Sequence, residues 1–219
     1  MATREGGSSP RRAICRILMA RDLEPSIGFG DVDWDSVVET ARREGMAPLL
    51  ARALYDGGWP REVPERVRRE LRDAWRTSAV LNARSCHALL GILEVLARPP
   101  GIPVMVMKGA ALGPTIYPAP ELRPMADLDL LVPPDRLDEA VARLEGAGWE
   151  RKDVAMTPGL SRASRRHVSL RPEDGSPLLL ELHWTLADCE GQRQGPDMAW
   201  FWDETAPFDP RLLCVPGPA

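Results

Sequence analysis

The stretch at residues 104–132, VMVMKGAALGPTIYPAPELRPMADLDLLV, decides the fold class of this chain. Its first residues form an apolar, β-rich run, and a helical pattern starts directly after that run at Lys108. A proline-rich loop then leads to a second strand pattern at 127–132, and the segment at 134–148 spaces its apolar residues as a helix does. The order strand, helix, strand, helix predicts an α/β core.

A β-hairpin is predicted downstream, in RRHVSLRPEDGSPLLLELHW at residues 165–184. Two apolar, strand-like runs flank a turn centred on Asp174 and Gly175, and an Asp-Gly pair favours a tight turn between strands. The hairpin would add two strands to the core.

The first hundred residues have helical periodicity instead. Three short helical patterns are followed by a long one from Pro64 to Arg98, which we expect to break or bend before Gly91. The closely spaced aspartates around Asp33 lack the glycine and glutamate of a calcium loop, so Asp33 or Asp35 is interpreted as the N-cap of a helix.

The predicted fold class is therefore α+β. An N-terminal helical region is expected at residues 1–100, an α/β core with a mixed sheet at 101–190, and a short C-terminal extension at 191–219.

Composition restricts the function classes. The chain is 44% hydrophobic and 27% charged, as in an ordinary globular protein, and its net charge of −4 argues against a protein that mainly coats nucleic acid. No uninterrupted apolar stretch reaches the length of a membrane-spanning helix, and the start lacks the apolar segment of a secretory signal. We therefore expect a cytoplasmic protein with no membrane partner. The four cysteines lack C-x-x-C spacing and are expected to be small apolar residues in a reducing compartment.

Two carboxylates in the second strand pattern are the first candidates for chemistry. Strand alternation sends Leu128 and Leu130 to one face of the sheet and Asp127 and Asp129 to the other. Like charges so close repel each other unless a cation neutralises them, and carboxylate oxygens suit Mg²⁺. This pattern predicts a metal site.

Glu181 is the third candidate, since it stands alone in the apolar run PLLLELHW and needs a partner or a cation there. His183 shares its strand face and is treated as a supporting residue. His167 would face the same site only if the hairpin register differed by one residue from the predicted turn, so it stays unassigned.

An anion site is predicted where the first strand meets its helix. Gly109 and Ala110 would open that helix, whose free N–H groups attract phosphate oxygens. Lys108 is one of only two lysines among 28 basic residues, and it would contact the β- or γ-phosphate of a nucleotide. Arg123, in the loop before the second strand, would bind another phosphate oxygen.

Taken together, Lys108-Gly109 at a helix start, RPMADLDLLV at 123–132 and ELHW at 181–184 resemble the polymerase-β-type nucleotidyltransferase superfamily, in particular its uncharacterised bacterial branch. The resemblance covers about residues 101–190. It implies an Mg²⁺- or Mn²⁺-dependent enzyme that transfers a nucleoside monophosphate from an NTP, ATP by preference, to an acceptor hydroxyl and releases pyrophosphate.

The same resemblance implies roles for individual residues. Asp127 and Asp129 would bind two divalent ions, and Glu181 would complete the metal site and help to deprotonate the acceptor hydroxyl. The backbone around Gly109 would cradle the triphosphate. Ala110 stands where the superfamily usually has a serine, and Lys108 would compensate for the missing hydroxyl.

Two other function classes stay open at this point: a non-catalytic nucleotide-binding or regulatory module of the same fold, and a metal-dependent phosphohydrolase that uses the same acids. The acceptor is equally open between a small molecule, a protein and an RNA. Because the chain ends sooner after the core than its relatives do, we expect the acceptor pocket either to be incomplete or to be completed by a partner chain.

Overall fold

The computed structural model describes residues 9–20, 29–30, 32–152, 166–186 and 198–214. They pack into two compact units. The first comprises the described residues up to Asn82 together with 117–124, and the second comprises 83–116 and the described residues from Met125 onward. The expected domain boundaries at residues 100 and 190 remain predictions.

The first unit is helical. It contains α1 (Pro10–Met19), α2 (Trp34–Arg43), α3 (Ala47–Asp56) and the first part of α4 (Glu65–Ala97). Its core is built from the apolar stripes of these helices, with Ile14, Val37, Leu50, Leu54 and Leu71 among the buried side chains.

Of the two N-cap candidates in the sequence, Asp33 caps α2, and Asp35 lies in its first turn. Its carboxylate accepts hydrogen bonds from the backbone N–H of Ser36 at 3.3 Å and from the Ser36 hydroxyl at 2.7 Å. This cap satisfies one of the free N–H groups of the first helical turn.

Helix α4 is continuous over 33 residues, so a break before Gly91 is excluded, and the alternative of a bend stays a prediction. A glycine in a helix interior lowers the stability of the helix by only about 1 kcal/mol relative to alanine. The neighbouring Leu89, Ile92 and Leu96 are all buried in the core of the second unit, and this burial outweighs the cost.

By length and composition, α4 is also the one helix among the described residues that could cross a membrane. This helix contains no uninterrupted apolar stretch of spanning length, because Arg84, His87 and Glu94 interrupt its apolar residues. Its buried leucines pack inside the protein, as those of a core helix do.

The second unit holds a five-stranded sheet among the described residues, with helices beside it. Its strands are β1 (Met105–Val106), β2 (Asp127–Leu131), β3 (Trp149–Arg151), β4 (His167–Pro172) and β5 (Leu179–His183). Its further helices are α5 (Lys108–Ile116), α6 (Leu137–Glu145) and α7 (Met198–Asp203). Single 3₁₀ turns occur in the chain at Pro120–Leu122, Pro134–Arg136 and Pro210–Cys214.

The sheet is mixed, which confirms the α+β prediction. Its strand order is β1-β2-β5-β4-β3, with β2 parallel to β5 and the other neighbours antiparallel. Leucines at alternate positions of β2 and β5 are buried against α4 and α6: Leu128, Leu130, Leu180 and Leu182. The opposite side-chain positions of the same strands are therefore available for polar groups.

The predicted hairpin exists as β4 and β5, but its register differs by one residue from the prediction. His167 lies opposite His183, and Ser169 lies opposite Glu181, so the pairing is centred on Gly175 alone. Gly175 has a φ of 78°, a conformation that a glycine adopts without strain. A shift of one residue reverses the faces of β4 and brings His167 to the polar face.

The expectation of four unbonded cysteines is wrong for Cys86. This residue is 1% exposed and is disulfide-bonded, whereas Cys15 is free. The side chains of Cys189 and Cys214 lie outside the described residues.

Candidate active site

Three carboxylates share the polar face of the sheet. Asp127 and Asp129 alternate with leucines along β2, and Glu181 lies directly opposite Asp129 on the parallel neighbour β5. One oxygen of each carboxylate lies within 4.8 Å of the others, which is close enough for a common cation. The structure therefore brings together the three acids singled out in the sequence.

Asp129 is the most deeply buried of the three, with a side chain that is 1% exposed. Two side chains contact the same oxygen. Nζ of Lys108 lies 2.5 Å from Oδ1 of Asp129, and Nε2 of His183 lies 3.0 Å from it. These contacts compensate the buried charge, since an unpaired buried carboxylate is costly.

These contacts determine the charges of Asp129 and Lys108. Burial alone would raise the pKa of Asp129, but the hydrogen bonds from His183 and Lys108 and the charge of Lys108 outweigh it, so the pKa is lowered. Burial would lower the pKa of Lys108, but its hydrogen bond to Asp129 and the nearby carboxylates raise it overall. Asp129 is therefore a carboxylate and Lys108 an ammonium at neutral pH.

Lys108 reaches this position from the junction between β1 and α5. Its φ is 46°, in the left-handed region, which costs a non-glycine residue about 1 kcal/mol or more. The preceding residue, Met107, donates its N–H to the carbonyl oxygen of Asp129 at 3.0 Å and so ties the junction to β2. The ammonium also lies 3.8 Å from Oε2 of Glu181.

The residues after Lys108 form the first turn of α5, which begins at Lys108. A Cβ on Gly109 would lie 3.1 Å from Cγ of Met125, so the absence of a side chain allows a close approach there. Ala110 is 1% exposed and belongs to the core. A serine at this position would bury its hydroxyl among apolar side chains unless it found a partner.

Arg123 belongs to the first unit, unlike the carboxylates. Its guanidinium donates to the carbonyl oxygen of Pro124 at 3.0 Å, and its own carbonyl accepts a hydrogen bond from Asn82 at 2.9 Å. The proposed contact of Arg123 with a phosphate remains a prediction.

Two histidines complete the polar face. His183 is buried, and its Nε2 lies 3.4 Å from Oε2 of Glu181 as well as close to Asp129. Nε2 of His167 lies 3.6 Å from Oε1 of Glu181. Sequence reasoning left His167 unassigned, and the only signal that would have found it is a hairpin centred on Gly175.

The chain was compared with protein families, with curated proteins and with solved structures. A search of curated proteins and a search of solved structures found no match. The model of a family described as uncharacterised nucleotidyltransferase matches residues 30–216, a range that includes every residue of the polar face. With its acidic cluster on a mixed sheet and this match over most of its length, the chain belongs to the uncharacterised nucleotidyltransferase family.

Proposed function

We propose that this protein transfers a nucleoside monophosphate from an NTP to an acceptor hydroxyl and releases pyrophosphate. The observation that carries the proposal is the convergence of Asp127, Asp129 and Glu181 on one face of the sheet in a nucleotidyltransferase family member. Three neighbouring carboxylates suit a reaction in which cations balance the charge of a triphosphate.

The donor set fits Mg²⁺ or Mn²⁺. All three groups offer carboxylate oxygens, the ligands that these hard cations prefer, and Asp127 and Glu181 are half-buried. Asp127, Asp129 and Glu181 would hold the ions, which supply Lewis acidity and charge neutralisation when bound.

The reaction forms one bond and breaks one. The acceptor oxygen bonds to the α-phosphorus while the bond between that phosphorus and the oxygen bridging to the β-phosphate breaks, and pyrophosphate leaves with the electron pair. Glu181 accepts the proton of the acceptor hydroxyl, as a positioned carboxylate can. Asp127 and Asp129 orient the reacting groups from β2.

Nucleotide binding is proposed for Lys108, Gly109 and Ala110. The Lys108 side chain is 56% exposed, so its ammonium has the freedom to turn from Asp129 to a β- or γ-phosphate. The first-turn N–H groups of α5, which include those of Gly109 and Ala110, would donate to phosphate oxygens. His183 supports the site through its contact with Asp129.

ATP is the proposed donor, and the acceptor is a small molecule, a protein or an RNA, with a partner chain completing its pocket. A cytoplasmic location completes the proposal.

One observation favours a second function, a nucleotide-binding module without turnover. The ammonium of Lys108 already neutralises Asp129 and approaches Glu181, so this chain has a cation of its own beside the carboxylates. A protein that only holds a nucleotide would need no metal ion to balance these charges.

Turnover with labelled nucleotides separates the two functions. The purified protein is incubated with each α-labelled NTP and Mg²⁺, with and without cell extract, and compared with its Asp129→Asn variant. Transfer of label to an acceptor with pyrophosphate release, lost in the variant, supports the enzyme. Binding without transfer supports the module, and release of inorganic phosphate alone would indicate a phosphohydrolase.

A further inference from the structure

Glu181 faces a second set of donor atoms besides the carboxylates of β2. His167 on β4 lies directly opposite His183 on β5, and their ring centroids are 5.0 Å apart. One donor atom from each of His167, Glu181 and His183 lies within 4.8 Å of the others. We propose that these three residues form a binding site for a divalent transition-metal ion, which shares only Glu181 with the carboxylate group.

The distances within the triad fit a metal ion. Nε2 of His183 lies 3.4 Å from Oε2 of Glu181, and Nε2 of His167 lies 3.6 Å from Oε1. Tetrahedral zinc, with bonds of about 2.0–2.2 Å, separates neighbouring ligand atoms by about 3.3–3.6 Å. The two nitrogens approach different oxygens of Glu181, so an ion bound through one of these oxygens would require the carboxylate to rotate.

The ligand chemistry selects a class of ion. Two imidazole nitrogens and one carboxylate suit Zn²⁺ and related first-row transition ions, whereas Mg²⁺ prefers oxygen ligands. Two of the three histidines in the chain take part, and the third, His87, is exposed on α4. The two imidazoles therefore give the proposed site a preference for transition-metal ions over Mg²⁺, which the three carboxylates do not provide.

Hydrogen bonding alone accounts for only part of the arrangement. Nε2 of His183 donates a hydrogen bond to Asp129 at 3.0 Å, a use that requires no metal, and an ion bound at the same nitrogen would replace this hydrogen bond. The 3.6 Å between His167 and Glu181 is too long for a hydrogen bond, and His167 is half-buried rather than packed in the core. A metal site would use His167 as a ligand, whereas the hydrogen bond between His183 and Asp129 does not require His167.

Glu181 belongs to both groups, so ions in both would share one carboxylate, as in two-metal sites. The inference does not depend on nucleotidyl transfer, because metal binding is measured without nucleotide.

Titration of the metal-free full chain with Zn²⁺ by calorimetry, and with Co²⁺ by visible absorption, tests the site. We expect tight binding of Zn²⁺, a Co²⁺ spectrum characteristic of nitrogen and oxygen ligands, and at least a tenfold loss of Zn²⁺ affinity in His167→Gln and His183→Gln. His87→Gln is the matched control and should bind as the parent does. Asp127→Asn should change Zn²⁺ affinity by less than threefold, because Asp127 belongs to the carboxylate group alone.

Circular dichroism confirms that each variant is folded, and His167→Gln keeps the test valid if the buried His183 does not tolerate replacement. Zn²⁺ binding that is unchanged in folded His167→Gln would overturn the proposal. So would a loss in Asp127→Asn equal to that in His167→Gln, since the ion would then lie on the carboxylates. An absence of Zn²⁺ binding in the parent protein would also overturn the proposal.

Discussion

Nζ of Lys108 lies 2.5 Å from Oδ1 of Asp129, although the two residues are 21 positions apart in the chain. The ammonium comes from the β1–α5 junction and the carboxylate from the middle of β2. A tethered cation therefore already contacts the most buried of the three acids. Metal ions and Lys108 would compete for Asp129, and a nucleotide that takes the ammonium away would favour the metal.

Replacing Lys108 should separate triphosphate recognition from metal binding. Lys108→Ala is expected to weaken NTP binding about tenfold, the loss of a charge-assisted hydrogen bond, and NMP binding by less than about twofold, because an NMP lacks the β- and γ-phosphates. Without nucleotide, the same variant should bind Mn²⁺ more tightly than the parent does. Titration calorimetry measures all three affinities.

Lys152→Ala is the control for this experiment, since Lys152 is the other lysine of the chain and is paired with Glu150 at the surface. Lys108→Arg should recover only part of the NTP affinity, because a planar guanidinium does not occupy the position of an ammonium. Equal weakening of NTP and NMP binding by Lys108→Ala would contradict a contact with the terminal phosphates.

Asp127→Asn and Asp129→Asn are both expected to abolish the increase in NTP affinity that Mg²⁺ or Mn²⁺ produces, but to differ in stability. In the structure Asp129 pairs with Lys108 and His183, so Asp129→Asn should lower the free energy of unfolding by about 1–3 kcal/mol. Asp127→Asn should lower it by less than about 0.5 kcal/mol.

Urea denaturation measures the unfolding free energies of these variants, and nucleotide titration with and without metal measures the coupling. Asp135→Asn, at an exposed aspartate in the turn before α6, serves as the control. Asn variants that bind metal-nucleotide as the parent does would show that the metal site lies elsewhere.

Glu181→Gln should reduce turnover much more than nucleotide affinity. The proposed proton transfer to Glu181 occurs only as the acceptor hydroxyl reacts, so its loss should lower kcat about 100-fold or more. Steady-state rates and equilibrium binding of the same preparation give both numbers. Glu150→Gln, at an exposed glutamate on β3, is the control, and an equal loss of binding and turnover would assign Glu181 to substrate binding instead.

Arg143→Ala should destabilise the second unit without touching the polar face. The Arg143 guanidinium donates to the carbonyl oxygens of Arg98 at 2.7 Å and Pro100 at 2.8 Å, just after the C-terminal end of α4. Loss of these hydrogen bonds should lower the free energy of unfolding by about 1–3 kcal/mol, as urea denaturation would show. Unchanged stability would indicate that water replaces the guanidinium at these carbonyls.

Local periodicity was sufficient to predict features that depend on a single strand or a single helix. The alternation in β2 placed Asp127 and Asp129 on one face because side-chain direction in a strand follows from the backbone alone. The N-cap at Asp33 was predictable for the same reason, since its partner is three residues away. Strand β3 was missed, because only Trp149 of its three residues is buried and so short a run has no periodicity.

The pairing between strands could not be predicted from local periodicity. The sequence by itself determined the α+β class and the three acids, because alternation and an isolated charge in an apolar run are local properties. Only the tertiary structure decided that Asp129 lies opposite Glu181, that His167 faces Glu181 and that Lys108 contacts Asp129. These relationships depend on register and on a left-handed residue at a junction, and a shift of one position would reverse every side chain of a strand.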